Sequence, residues 1–256
     1  MVARISIILK KLLIKKVPFH NINTIFLFML DMRRSPFGKH LRQRRHDPSK
    51  KCTETSNHHI LFVLDSSGSI GSENYQRMLK TVARITSVSC RKPKFALLSF
   101  SSNLKMEFCF DCFSSTDNGR TRTVEAIMNA EYQSGSTKTG EAVKCVCDFI
   151  LDAQCGSSAD PNCLDVVLIT DGQSNGALDP CNEVSCLTNL DGVNTYAIGI
   201  GGNVKHTEIE CLTHSSEIIG QFDYKSFDDF ERAVNTMVDR ITADDTPYEC
   251  ITTDMG

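Results

Sequence analysis

From His59 onward the chain alternates short apolar runs with amphipathic stretches. Ile60–Leu64 (ILFVL) is a continuous apolar run closed by Asp65, the pattern of a strand buried on both faces of a parallel sheet. Tyr75, Met78, Leu79, Val82 and Ile85 follow at helical spacing and form one stripe. Phe95–Phe100 (FALLSF) predicts a second buried strand, and Leu104–Phe110 alternates as an edge strand does. Thr123–Met128 reads as helix, as does Gly140–Ala153, where Ala142, Val146, Phe149, Ile150 and Ala153 share a face. Val166–Thr170 (VVLIT) and Thr195–Ile200 (TYAIGI) are further buried strands, and a short one is expected at Ile218–Phe222. A closing helix carries Phe227, Phe230, Val234, Met237 and Ile241 three and four residues apart, a stripe suited to core packing. Strands alternating with helices predict an α/β fold, a mostly parallel sheet with helices on both faces. Ligands of such sheets bind beyond the carboxyl ends of the strands, where the strand order reverses. Asp65 and Asp171 each close a core strand at that edge.

The first fifty residues are a different kind of chain. Residues 1–51 hold 13 Lys/Arg against Asp31 and Asp47, a net of +11, whereas the remainder holds 15 against 29 Asp/Glu, a net of −14. Lysines interrupt the early apolar patches, and Asp31, Arg33 and Arg34 stand where a signal peptide has small residues. Residues 1–51 are expected to be a basic leader or tail, solvated or processed. An atypical signal, a basic surface arm and a leader absent from the mature protein all remain open. Residues 52–250 form the expected domain, and 251–256 a short tail. Arg42-Gln43-Arg44-Arg45 has no interleaved aromatics and the body is acidic, so no nucleic-acid partner is expected. No stretch reaches the roughly 18 apolar residues of a membrane span, and an apolar fraction of 41% argues against wholesale disorder.

Three segments at the predicted sheet edge carry oxygen donors. Asp65-Ser66-Ser67-Gly68-Ser69 follows the first strand, Gly135-Ser136-Thr137-Lys138-Thr139-Gly140 opens a helix, and Thr170-Asp171-Gly172 closes the VVLIT strand. Asp65, Ser67, Ser69, Thr137 and Asp171 together offer carboxylates and hydroxyls, hard donors that suit Mg²⁺, Mn²⁺ or Ca²⁺ rather than zinc or copper. Nothing in the set places a nucleophile beside a base, so the chemistry is binding. The plainer alternative has the serines capping the first helix and Asp171 in a turn.

Asp65-x-Ser67-x-Ser69, Thr137 in its T-x-T-G context and Asp171 in T-D-G resemble, in order and spacing, the metal-ion-dependent adhesion site of von Willebrand factor type A domains. The likeness covers roughly 57–241. It implies a doubly wound sheet with one antiparallel edge strand, Leu104–Phe110. It also implies direct ligation by Ser67 and Ser69, ligation by Thr137 in the ligand-engaged state, and Asp65 and Asp171 acting mainly through water. The function implied is a non-enzymatic, extracellular module in which an Asp or Glu of a matrix or cell-surface protein completes the shell of a bound Mg²⁺. A structural matrix spacer with an unused metal site and an intracellular scaffold are the alternatives.

All twelve cysteines lie from Cys52 onward, and an even dozen points to disulfides and an oxidising compartment. The resemblance implies a bridge between Cys52 and Cys250, which bracket the domain. Cys181 and Cys186 share a short segment, as do Cys155 and Cys163, leaving local pairing open to both. Cys109-Phe110-Asp111-Cys112 is a C-x-x-C expected to be a structural bridge, with a redox role or a zinc knuckle shared with Cys145 and Cys147 as alternatives. Gly199–Gly202 lacks the full dinucleotide-binding pattern and reads as a strand end packed closely on its neighbour, and Asn118-Gly119-Arg120 reads as a turn.

Overall fold

The computed structural model describes residues 58–89, 93–152, 154–156, 163–190, 192–213 and 222–243. Among them six strands form one sheet: β1 (His58–Asp65), β2 (Lys94–Phe100), β3 (Leu104–Phe108), β4 (Cys163–Thr170), β5 (Val193–Ile200) and β6 (Phe222–Tyr224). Their spatial order is β3-β2-β1-β4-β5-β6. β3 runs antiparallel to β2 at the edge, and every other pairing is parallel. The helices are α1 (Gly71–Ser87), α2 (Asp117–Met128), α3 (Thr139–Leu151), α4 (Pro180–Glu183), α5 (Ser185–Thr188), α6 (His206–Leu212) and α7 (Phe227–Ala243).

Strand alternation splits the core in two. Ile60, Phe62 and Leu64 of β1 pack with Tyr75, Met78 and Val82 of α1 and with Phe230 and Val234 of α7. Leu61 and Val63 point the other way, toward Val143, Val146 and Ile150 of α3 and Ile209 of α6. Burying each such side chain is worth about 1.5–3 kcal/mol, so β1, covered on both faces, anchors the domain. Gly71 opens α1 at φ +73°, a left-handed turn that lets the chain leave the β1 loop and enter the helix at once.

Several expectations shift. The last strand was expected at Ile218–Phe222 and is found at Phe222–Tyr224; residues 218–221 lie outside the described ones. Asn118-Gly119-Arg120 is the first turn of α2 rather than a free turn, because Thr116 caps that helix by accepting the Gly119 N–H at 3.2 Å. Phe227, Phe230 and Val234 are buried along α7 as expected, and Val238 joins them; the side chains of Met237 and Ile241 are outside the described set. Gly199 packs closely, since a Cβ there would meet Val204 at 2.7 Å and Asp223 at 2.9 Å.

The cysteine pairings differ from the local ones expected. Cys109 is bridged to Cys155 rather than to Cys112, with Cα atoms 4.9 Å apart, because the end of the edge strand lies against the segment that follows α3 (Phe110 N–H donates to Cys155 O at 3.1 Å). Cys155 is therefore not paired with Cys163. Cys181 bridges Cys211 on α6 and Cys186 bridges Cys147 on α3. These two do not pair with each other because their short helices turn toward different neighbours. The zinc-knuckle alternative fails for the same reason: Cys109 and Cys147 are consumed in bridges, and Cys145, two residues from Cys147 on a helix, faces away from it. Cys112 and Cys145 are free among the described residues. Cys52 and Cys250 lie outside them.

Candidate metal-binding site

β1 and β4 meet where the strand order reverses, with β2 and β3 to one side and β5 and β6 to the other. Leu64 is in register with Ile169, so Asp65 and Thr170 leave the sheet side by side. Thr170 Oγ1 donates to Asp65 Oδ2 at 2.6 Å, and the Ser67 N–H donates to Asp65 Oδ1 at 2.8 Å. Ser69 Oγ donates to Asp171 Oδ1 at 2.7 Å, and the Ser67 and Ser69 hydroxyl oxygens are 3.1 Å apart. A Cβ built on Gly172 would stand 3.7 Å from Ser69 Oγ and 3.8 Å from Thr137 Oγ1, so the absence of a side chain there leaves the space between these hydroxyls open. Asp65, Ser67, Ser69, Thr137 and Asp171 thus gather around one place.

The loops that carry them are tied together. Ser66 N–H donates to Phe100 O at 2.7 Å and Gly68 N–H to Gly135 O at 2.9 Å. Ser66 Oγ accepts from Gln133 N–H at 2.8 Å, and Tyr132 Oη donates to Ser67 O at 3.1 Å. Asn175 pairs with Thr137 in both directions: its Oδ1 accepts the Thr137 N–H at 2.9 Å and its own N–H donates to Thr137 O at 2.8 Å. Two glutamates brace the loop after Asp171. Glu208 of α6 accepts the Ser174 N–H at 3.1 Å, and Glu141 of α3 accepts the Ala177 N–H at 2.8 Å.

The helix-capping alternative does not hold. The N-cap of α1 is Ile70, with no side-chain cap, and the serine hydroxyls turn instead toward each other and Asp171. Gly172-Gln173-Ser174-Asn175-Gly176 spells the G-x-S-x-G of hydrolase nucleophile elbows, but that motif needs a strand-to-helix turn. Here it lies in a loop that stays non-helical until Pro180, and Ser174 Oγ donates to Thr137 O at 3.4 Å.

Asp65 is fully buried and Asp171 nearly so. Burial drives the Asp65 carboxyl up to about 6, and the neighbouring Asp171 charge adds to this against the opposing hydrogen bonds from Thr170 and Ser67. Asp171 is also raised, again by burial, with its Ser69 hydrogen bond opposing. Among the described residues no lysine, arginine or histidine forms an ion pair with either carboxylate. Two adjacent buried carboxylates without a cationic side chain are costly when ionised. A small divalent cation, which takes carboxylate and hydroxyl oxygens and retains water, matches that donor set and its charge.

Thr170, Asn175, Glu208 and Glu141 were not singled out from the sequence. Thr170 adjoins Asp171 and could have been flagged by that adjacency. The others act through hydrogen bonds that only the folded loops create. Among the described residues, the one cluster of at least three potential metal-binding Cys, His or acidic side chains, Cys109, Asp111 and Cys112, is not a metal site, because Cys109 is in a disulfide. Beside Asp171 a recess of about 270 Å³ opens between α1 and the β5 end, lined by Asn74, Arg77, Gly201, Asn203 and Ser226 among others.

Known proteins fit this architecture. The chain is 31% identical over 179 residues to cuticlin-6 of Caenorhabditis elegans, covering 68% of this chain and 29% of that protein. It is 29% identical over 197 residues to human vitrin, covering 75% of this chain and 27% of vitrin. The chain therefore spans under a third of the length of these relatives. Among solved structures, proximal thread matrix protein 1 from the mussel byssus superposes with a TM-score of 0.62 at 25% identity, over 72% of this chain and 48% of that one. Another structure of it, described as having a zinc-occupied MIDAS motif, superposes at 0.61. The von Willebrand factor type A domain profile matches residues 59–240, and with that match over most of its length the chain belongs to the von Willebrand factor type A domain family.

Proposed function

We propose that this domain is a non-enzymatic, extracellular adhesion-type module that binds a protein partner through a divalent cation. Asp65, Ser67, Ser69, Thr137 and Asp171 would hold the ion, Mg²⁺ or alternatively Mn²⁺ or Ca²⁺. The observation that carries the reading is the convergence of hydroxyls from two loops on two buried carboxylates that no basic side chain among the described residues neutralises. Bound there, the ion supplies a hard, incompletely neutralised centre that a carboxylate from outside can complete. The chain's own residues fix the donors: Thr170 orients Asp65, Ser69 orients Asp171, and Asn175 holds the Thr137 loop against the Asp171 loop. The recess next to Asp171 offers room for residues flanking the partner's Asp or Glu.

Cuticlin, vitrin, collagen α-1(XXI), integrin α-X and a thread matrix protein are matrix and adhesion names, which supports the same role and location here. Three disulfides among the described residues are consistent with an oxidising compartment. Capture from native extract by the immobilised domain tests the reading. A partner should be retained in Mg²⁺, released by EDTA, and lost with Asp65→Ala while the circular dichroism spectrum is unchanged. Retention by Asp65→Ala equal to the parent's would contradict it.

A further inference from the structure

The bridge between Cys109 and Cys155 has a free thiol beside it. Cys112 is exposed and unbridged, and its sulfur lies within 4.8 Å of Cys109 Sγ. The backbone holds it there. Cys112 N–H donates to Cys109 O at 3.1 Å, closing a turn, and Cys109 N–H donates to Cys112 Sγ at 3.1 Å. Cys109 and Cys155 are both only half-buried. The other free thiol among the described residues, Cys145, has no such neighbour on its own helix: Cys147 lies two residues on and faces away.

We propose that these three cysteines form a thiol–disulfide exchange site in which Cys112 is the nucleophile and Cys155 the leaving thiol. The Cys112 thiol gives its proton to solvent, and the thiolate attacks Cys109 Sγ. The Cys112–Cys109 bond forms as the Cys109–Cys155 bond breaks, and the electron pair leaves on the Cys155 sulfur, which takes up a proton. One disulfide and one thiol stand on each side, so no oxidant or reductant enters.

The two connectivities differ in what they tie down. Cys109–Cys155 spans 46 residues and fastens the end of β3 to the segment after α3. Cys109–Cys112 closes only the turn and leaves that segment held by hydrogen bonding. Cys155 sits at φ +60°, a left-handed conformation that a non-glycine residue rarely adopts, with Gly156 following at φ +71°. Exchange frees Cys155, at that left-handed position, from the bridge.

Alkylation at intervals, followed by non-reducing peptide mapping of the full oxidised chain, tests this. After transfer from acid to pH 8 without redox reagents, label should pass from Cys112 to Cys155 over minutes to hours as the Cys109–Cys112 peptide appears. In Cys112→Ser, Cys155 should remain unlabelled. Parent protein alkylated at Cys112 before the transfer should behave likewise, a control that does not require the variant to fold. Label confined to Cys112 in the parent would overturn the proposal, as would label on Cys155 when Cys112 is blocked.

Discussion

Asp65 concentrates the physics of the site in one residue. Its carboxylate has no exposed surface and both oxygens are engaged by hydrogen bonds, from Ser67 and Thr170. Its pKa of about 6 against the ordinary 3.8 means that the folded protein binds this proton more tightly than the unfolded chain does. A group shifted upward stabilises the fold fully below the unfolded value, and the contribution is lost as pH rises through the folded one. With divalent ions chelated, stability should therefore decline between about pH 4 and pH 6. The decline attributable to Asp65 is about 3 kcal/mol at 1.36 kcal/mol per unit. Asp171 and Glu208, raised in the same direction by burial, add to the same slope. Urea unfolding in EDTA across pH 4–8 should show the fall in the parent and a flatter profile in Asp65→Asn; a parent whose stability rises over that window would contradict the assignment. Asp65, Ser67, Ser69 and Asp171 stood out in the sequence as candidate donors because they come straight after apolar runs, and Thr137 because it lies in a run of hydroxyl residues that opens a helix. Asn175 and Glu208 were not, because an amide and a glutamate in a polar loop look the same whether or not a neighbouring backbone needs them.

Elements were legible in proportion to their burial. β1, β2, β4 and β5 are covered on both sides and read as continuous apolar runs, and α1 and α7 are long enough to show a stripe. α4, α5 and α6 span only four to seven residues, too few for a periodic signal, and β6 has three. The closing helix permits a comparison of forces. Phe230 is 1% exposed on the α7 stripe, whereas Arg84 meets Asp239 at 2.5 Å in the open, between side chains 42% and 68% exposed. Phe230→Ala should cost about 3–5 kcal/mol by transfer and cavity terms. Arg84→Ala should cost less than about 1 kcal/mol. Thermal or urea denaturation of the two variants decides, and equal losses would show that α7 is docked by charge after all. At the site, Glu208→Ala removes the acceptor that braces the Ser174 amide and should lower stability by about 1 kcal/mol. It should weaken Mg²⁺ binding less than Asp65→Ala does, as calorimetry on both variants would show.

For the whole molecule, the disulfide framework was the least legible feature. Pairing depends on which helix faces which, and Cys181 and Cys186, five positions apart, reach Cys211 and Cys147 on different elements. Alkylation of the native chain without reductant should label Cys112 and, more slowly, the half-buried Cys145, and should spare Cys147, Cys181, Cys186 and Cys211. Label on those four would remove the argument for an oxidising compartment. The proposed function requires a divalent cation held where β1 and β4 meet. The most direct test is calorimetric titration of Mg²⁺ into the chelated, oxidised protein, paired with its melting curve. One ion should bind per chain, adding about 1.4 kcal/mol of stability at ten times its Kd, with both effects absent in Ser67→Ala/Ser69→Ala. An absence of binding heat together with an unchanged melting temperature in millimolar Mg²⁺ would contradict it.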